Sequence, residues 1–317
     1  MTDRPQVLQK GRLMPALEAQ LKERYDVQGL WEHSDPLEFL DAHGSEFSGL
    51  VTSANFGADA QLIDKLPQLR VISSFGVGID KIDLDAAKRK GVAVGYTPDV
   101  LNDCVADLAI GMLIDVARGI SAAERYVRRG EWQRGPYPLM TRVSGKKLGI
   151  FGLGRIGQAI AKRASGFDMS VRYTNRSPVA GTPYAFEPSL VDLARWADFL
   201  VIAAAGGAST RHQVSAAVLE ALGPQGFVVN VSRGTVIDEA ALVNALVQRH
   251  IAGAALDVFE NEPNVPGPLF ELDNVVLLPH IASGTQETRK AMADLVLANL
   301  ASFYTEGKLV APAPMPA

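Results

Sequence analysis

The stretch Leu148-Gly-Ile-Phe151-Gly152-Leu-Gly154-Arg155-Ile156-Gly157 decides the fold. A short β-forming apolar run enters a Gly-x-Gly-x-x-Gly turn, and the turn opens a segment of helical period over residues 156–165. Strand, turn and helix in that order are the context in which this glycine pattern binds a dinucleotide. Gly152 permits the tight turn, Gly154 lets a pyrophosphate approach the main chain, and Gly157 lets helix and strand pack closely. Arg155 and Ile156 open the helix, whose N-terminus offers N–H donors and positive potential to a phosphate. A glycine-rich turn with no ligand would need the same residues and explains the flanking pattern less well.

Outward from this point, brief apolar runs alternate with longer helical segments. The runs include Leu50-Val-Thr52, Val71-Ile-Ser73, Val92-Ala-Val94, Val171-Arg-Tyr173, Phe199-Leu-Val-Ile-Ala203, Phe227-Val-Val229 and Val275-Val-Leu-Leu278. Helices are expected over 239–249 and, as one long element, over 107–130. This is an α/β chain with parallel sheets. One series fills residues 1–98, and a second opens at Lys146 after the polar, Pro-containing stretch 130–144, so two α/β domains are expected. The last segment, 283–307, is amphipathic through Met292, Leu295, Val296 and Leu300 and has no strand to follow, which sends it back onto the first domain. The Pro/Ala tail 311–317 is expected to be mobile.

A length of 317 residues suits two domains, each with a sizeable core. Thirty-one Lys and Arg against 35 Asp and Glu leave a net charge of −4, which is no footprint for nucleic acid or an anionic membrane. The longest apolar run, 199–205, is too short to span a bilayer. The N-terminal residues carry Asp3, Arg4, Lys10 and Arg12 without an apolar core, so no signal peptide is read. The single cysteine, Cys104, forms no intrachain disulfide and is expected as a buried, inert thiol. A cytoplasmic protein with a small-molecule partner and no metal is expected.

About 20 residues beyond the glycine turn, where an NAD-preferring site carries Asp or Glu, the chain reads Asn175-Arg176-Ser177. No carboxylate repels a 2′-phosphate there, and all three side chains can donate to one, so NADPH is favoured and NADH should bind more weakly. A solvated turn ending at Pro178 remains the alternative. Three further sets follow apolar runs: Val231-Ser-Arg233-Gly234, Asp257-Val-Phe-Glu-Asn-Glu262-Pro263 and Pro279-His280-Ile-Ala-Ser-Gly284. In an open α/β sheet the strand ends hold the ligand, so Arg233, Glu262 and His280 can converge. An Arg in an interdomain salt bridge, a His satisfied in a turn, and Asp257 as a strand-end cap are the competing readings.

These motifs, in this order and nearly end to end, resemble the D-isomer-specific 2-hydroxyacid dehydrogenases, with Ser74-Phe-Gly-Val77-Gly78-Ile-Asp80 similar to the family's substrate loop. The resemblance implies two Rossmann-like or flavodoxin-like domains with the active site in the cleft between them. Residues 1–98 plus 286–317 would bind substrate, and 99–285 would bind NAD(P). It implies that Arg233 holds the 2-oxo acid with help from the N–H groups of Val77 and Gly78. His280 would donate the proton, Glu262 would keep the imidazole protonated and oriented, and Asp257 would accept from the nicotinamide carboxamide. A homodimer built through the region 104–132 is also implied.

The Asn-Arg-Ser turn is most similar to the NADPH-dependent glyoxylate/hydroxypyruvate and hydroxyphenylpyruvate reductases of that family. Reduction of a small 2-oxo acid to the D-2-hydroxy acid is therefore expected. A bulkier substrate such as hydroxyphenylpyruvate or 2-ketogluconate, or a dinucleotide-sensing corepressor, are the alternatives. The loop Ala204-Ala-Gly206-Gly207-Ala-Ser-Thr210 departs from the family's Pro-rich form, and Trp132 and Tyr137 could border the substrate or a dimer contact.

Overall fold

The alternating runs build two all-parallel sheets in the computed structural model, which describes residues 4–316. The first three residues of the N-terminal stretch, and Ala317 of the tail, lie outside the described residues. The chain divides into two units, one running to Leu101 and resuming at Thr285, the other spanning Asn102–Gly284.

The first unit runs β1 (Gln6–Gln9), α1 (Pro15–Arg24), β2 (Asp26–Gly29), α2 (Pro36–His43), β3 (Gly49–Ser53), α3 (Ala60–Asp64), β4 (Val71–Phe75), α4 (Leu84–Arg89) and β5 (Ala93–Gly95). Its strand order is β2-β1-β3-β4-β5. Asp35, Asp59 and Asp83 each accept a first-turn N–H at the start of α2, α3 and α4, which fixes where those helices begin. Val7, Leu8, Leu50, Val51 and Ile72 are fully buried, because a parallel sheet is covered on both faces.

The second unit runs α5 (Asn102–Arg118), α6 (Ile120–Arg128), β6 (Lys147–Phe151), α7 (Arg155–Ala164), β7 (Ser170–Thr174), β8 (Ala185–Phe186), α8 (Leu190–Trp196), β9 (Phe199–Ile202), α9 (Ala216–Leu222), β10 (Phe227–Asn230), α10 (Glu239–Val247), β11 (Gly253–Leu256) and β12 (Val275–Leu277). Its order, β12-β11-β10-β9-β6-β7-β8, reverses direction between β6 and β9. That reversal is the switch point at which a doubly wound sheet opens a ligand crevice. The final helix α11 (Gln286–Glu306) packs against β4 of the first unit, as its unpartnered apolar face required.

Three expectations are corrected. The long helix over 107–130 is two helices, broken at Gly119, whose left-handed φ of 61° ends the first. Asp115 then accepts the Ser121 N–H at 2.8 Å and holds the start of the second. The tail is pinned rather than loose. Pro312 bridges Gly95, Ala313 N–H donates to Val94 at 2.7 Å, and the buried Asn299 amide joins Tyr96 O to Ala311 N–H. It thereby covers the edge of β5, an edge that would otherwise expose unpaired main-chain groups. Cys104 is partly exposed on α5 and not buried.

Candidate active site

The glycine turn after β6 has the shape its sequence requires. Gly152 sits at φ 100°, where a Cβ would lie 2.4 Å from Ala204 N, so the turn lies against the chain leaving β9. A Cβ on Gly157 would lie 2.1 Å from Gly152 O, which is the close packing of helix on strand. Gly154 differs: nothing stands within 4 Å of its added Cβ, and no side chain caps α7. Open space at an uncapped helix N-terminus, at the switch point of the sheet, fits the pyrophosphate of a dinucleotide. Arg155 is exposed and Ile156 half-buried at the first turn.

Asn175, at the end of β7, accepts Leu153 N–H through Oδ1 at 2.8 Å and so braces the glycine turn. Arg176 and Ser177 beyond it are exposed. Of the three residues read as donors to a phosphate, Asn175 thus also has a structural task in holding the loop.

Around the ends of β10, β11 and β12 the other site residues gather. The fully buried Asn230 closes the turn that carries Arg233. Its Nδ2 donates to Arg233 O at 3.0 Å, and its Oδ1 accepts Ser232 N–H at 3.0 Å. Gly234 lies against the Phe259–Glu260 peptide so closely that a Cβ would come within 1.9 Å of Phe259 C. Two residues on, Glu262 accepts Phe259 N–H at 3.1 Å through one oxygen, and its other oxygen pairs with His280 Nδ1 at 2.8 Å. This leaves Nε2 as the ring nitrogen that Glu262 does not engage.

Burial pushes the Glu262 carboxyl up. The hydrogen bond and charge of His280, the Phe259 N–H and the Arg233 charge outweigh it and hold the carboxyl below its ordinary range. Asp257 is fully buried, and burial raises its carboxyl despite two main-chain donors, Ile281 N–H at 2.7 Å and Ala282 N–H at 2.8 Å. Its own carbonyl accepts His280 N–H at 2.9 Å. Asp257 therefore clamps the turn in which His280 takes a left-handed φ of 54°. A cavity of about 250 Å³ adjoins the Glu262–His280 pair, with Phe259, Val265, Leu277 and Leu278 as apolar walls.

Val77 and Gly78 lie in the first unit, on the loop after β4. The loop is anchored by Thr97, whose Oγ1 accepts Gly76 N–H at 3.0 Å and whose own N–H donates to Gly76 O at 3.0 Å. Sequence reading missed Asn230, whose only signal is a polar residue closing an apolar strand. Ser232 was missed as well; its hydroxyl donates to Ala204 O and ties the loop after β9 to the turn of Arg233. Among the described residues no group of three or more His, Cys, Asp and Glu could hold a metal ion, and no helix is long and apolar enough to cross a membrane.

Residues 110–282 match the model of the D-isomer specific 2-hydroxyacid dehydrogenase, NAD binding domain. The chain is 47% identical over 296 residues to glyoxylate/hydroxypyruvate reductase A of Arabidopsis thaliana, covering 93% of this chain and 95% of that one. It is 48% identical to a hydroxyphenylpyruvate reductase of Plectranthus scutellarioides with the same coverage. A solved NADPH-dependent glyoxylate/hydroxypyruvate reductase of Sinorhizobium meliloti, in complex with NADP and malonate, is similar at a TM-score of 0.92 and 42% identity. That likeness covers 98% of this chain and 97% of the other.

Proposed function

The chain belongs to the D-isomer-specific 2-hydroxyacid dehydrogenase family, and within it we propose that this protein reduces glyoxylate or hydroxypyruvate to the D-2-hydroxy acid at the expense of NADPH. The observation that carries the reading is the Glu262–His280 pair at 2.8 Å, on the strand ends of the same sheet that presents the open glycine turn. The unit 102–284 serves the cofactor, and the other unit serves the substrate through Val77 and Gly78.

A reduced nicotinamide dinucleotide held at the glycine turn Gly152–Gly157 would supply the hydride for the carbonyl carbon of the 2-oxo acid. Arg233 binds the carboxylate of the 2-oxo acid with its planar guanidinium and holds the carbonyl in position. His280 donates the proton to the forming alkoxide from Nε2, and Glu262 keeps the imidazole aimed through Nδ1. Asp257 holds the turn that carries His280. The preference for NADPH rests on Arg176 and Ser177, exposed where a carboxylate would otherwise exclude a 2′-phosphate. The relative solved with NADP bound supports the same reading.

Hydroxyphenylpyruvate is the second reading, favoured by the apolar cavity beside His280, which is large enough for a phenol ring. A cytoplasmic setting accords with a lone cysteine, and a homodimer with the exposed Trp132 and Leu139. Initial rates with NADPH and NADH over a panel of 2-oxo acids test the whole reading. Turnover of glyoxylate or hydroxypyruvate with kcat/KM at least ~10-fold higher for NADPH is expected, about 1.4 kcal/mol in transition-state terms. Absence of turnover with every acid and both cofactors would overturn it.

A further inference from the structure

We propose that Glu260, held by Arg211 and His212, is a positioning residue for the Glu262–His280 pair. The inference rests on the reading of that pair as the proton-transfer unit. Glu260 stands two residues before Glu262 on the turn that leaves β11, and its carboxylate is three-quarters buried. Its Oε1 accepts from Arg211 Nη2 at 2.6 Å and lies 3.0 Å from His212 Nε2. Its main-chain N–H donates to Glu239 Oε1 at 3.0 Å on the first turn of α10. The residue is therefore fixed from two elements at once, the loop after β9 and the start of α10.

That fixation bears on the acid–base pair through the main chain. Phe259 N–H, one peptide before Glu260, donates to the Oε1 of Glu262, whose Oε2 faces His280. The direction of the Glu262 carboxylate thus depends on how the peptides around Glu260 are held. The same Phe259–Glu260 peptide lies against Gly234, beside Arg233. The loop after β9 is itself firmly held, since His212 N–H donates to Thr235 O at 2.9 Å and Val214 N–H donates to Val236 O at 3.0 Å. An isolated exposed ion pair would contribute little. One carboxylate shared by a guanidinium and an imidazole, on a turn whose N–H groups are also engaged, orients a neighbouring reactive group as outer hydrogen bonds orient metal ligands.

The charged groups concerned are few. Arg211, His212 and Glu239 face Glu260, while His280 and Arg233 act on Glu262 and Asp257 lies beneath His280. Loss of the Glu260 carboxylate loosens the turn and weakens the Phe259 N–H and His280 bonds to Glu262. Both bonds favour the ionised carboxyl, so Glu262 then titrates at higher pH.

The test uses the full-length protein with NADPH, wild type against Glu260→Ala, Glu260→Gln, Arg211→Ala and His212→Gln. Carboxyl ¹³C NMR of Glu262, assigned with Glu262→Gln, and the pH profile of kcat for 2-oxo acid reduction are the readouts. In Glu260→Ala the Glu262 titration should move up toward the ordinary carboxylate range. The same variant should lose roughly 10-fold in kcat, with KM for the acid changed far less, as lost outer support of a reactive group typically does. Glu260→Gln keeps an acceptor and should recover part of the loss, and Arg211→Ala and His212→Gln should fall between. If Glu260→Ala does not fold, the two loop variants, altered at partly exposed positions, decide alone. A lower Tm with unmoved Glu262 titration and unmoved kcat profile would make the cluster merely structural and overturn the proposal. Failure of the wild type to reduce any 2-oxo acid would count against the proposed function instead, and the NMR titration, which needs no turnover, would still decide this inference.

Discussion

At Arg176 the proposed preference for NADPH rests on an exposed guanidinium at the end of β7. Asn175 is engaged with Leu153, so Arg176 and Ser177 are the side chains at that strand end with no such task. Arg176→Ala should weaken NADPH by roughly 1.5–3 kcal/mol, the size of a lost charged hydrogen bond, and leave NADH almost unchanged. Cofactor titrations followed by fluorescence check this, and equal losses would mean that Arg176 supports the turn. Glu262 yields a second outcome. Its carboxyl lies below the ordinary range in the folded protein, so its pairing stabilises the fold above that range and is lost as pH falls through the lowered value. In thermal melts from roughly pH 6 down to 3, Glu262→Gln should therefore show a shallower acid-side loss of Tm than wild type. In kinetics the same variant deprives the protonated imidazole of its partner. The maximal rate of reduction drops, whereas an unchanged rate would remove the pair from proton transfer. The nearness of His280, Glu262 and Arg233 was legible because each follows a strand end in a motif of reactive residue types. Asn230 and Asp257's clamp on the His280 turn were not, since only three-dimensional neighbours reveal what a buried Asn or Asp bonds.

At the scale of elements, the glycine turn separates two tasks that the sequence runs together. Gly157→Ala would drive a Cβ into Gly152 O, and overpacking of this kind costs about 1–3 kcal/mol, so the urea midpoint should fall along with cofactor binding. Gly154 has ordinary dihedrals, φ −76° and ψ −163°, and open space around it. Gly154→Ala should leave the urea midpoint unchanged and weaken the dinucleotide alone. A variant at Gly154 that destabilised the apo protein as much as Gly157→Ala would contradict that division. The helix after this turn was legible from its period and its strand. β11 was legible only as the apolar run before Asp257, because Gly253-Ala-Ala-Leu256 has no β-branched residue to mark it as a strand. Small residues are needed there: a Cβ on Gly253 would lie 2.5 Å from Asn274 O and 3.0 Å from Val116 on α5. The break at Gly119 was hidden for a related reason, since a glycine within a helical pattern is tolerated often enough that its left-handed conformation shows only in the backbone.

Over the whole molecule, the two sheets differ in order, and each order follows from how its βα units wind. β2-β1-β3-β4-β5 opens its switch point between β1 and β3, and the larger sheet opens its own between β6 and β9, beside the glycine turn. The return of α11 to the first unit was legible as an apolar face without a strand. The pinned tail was not, because Ala and Pro carry no pattern, and it is Asn299 and the edge of β5 that fix it. Surface composition carries a last consequence. Trp132 is 68% exposed and Leu139 wholly so, with Val127 and Met140 also prominent, a concentration of exposed apolar side chains on one short stretch. The stretch is firmly presented. Tyr126 OH donates to Gly135 O at 2.9 Å, Tyr137 OH to Gly119 O at 3.3 Å, and the two rings meet edge to face at 5.4 Å. Ordered apolar side chains held out in this way gain about 1.5–3 kcal/mol each when a second copy covers them. In a homodimer the double variant Trp132→Asp, Leu139→Asp should therefore convert the wild-type species to monomer in sedimentation velocity, with far-UV circular dichroism unchanged. A wild-type protein that sediments as a monomer at every concentration would refute the homodimer outright.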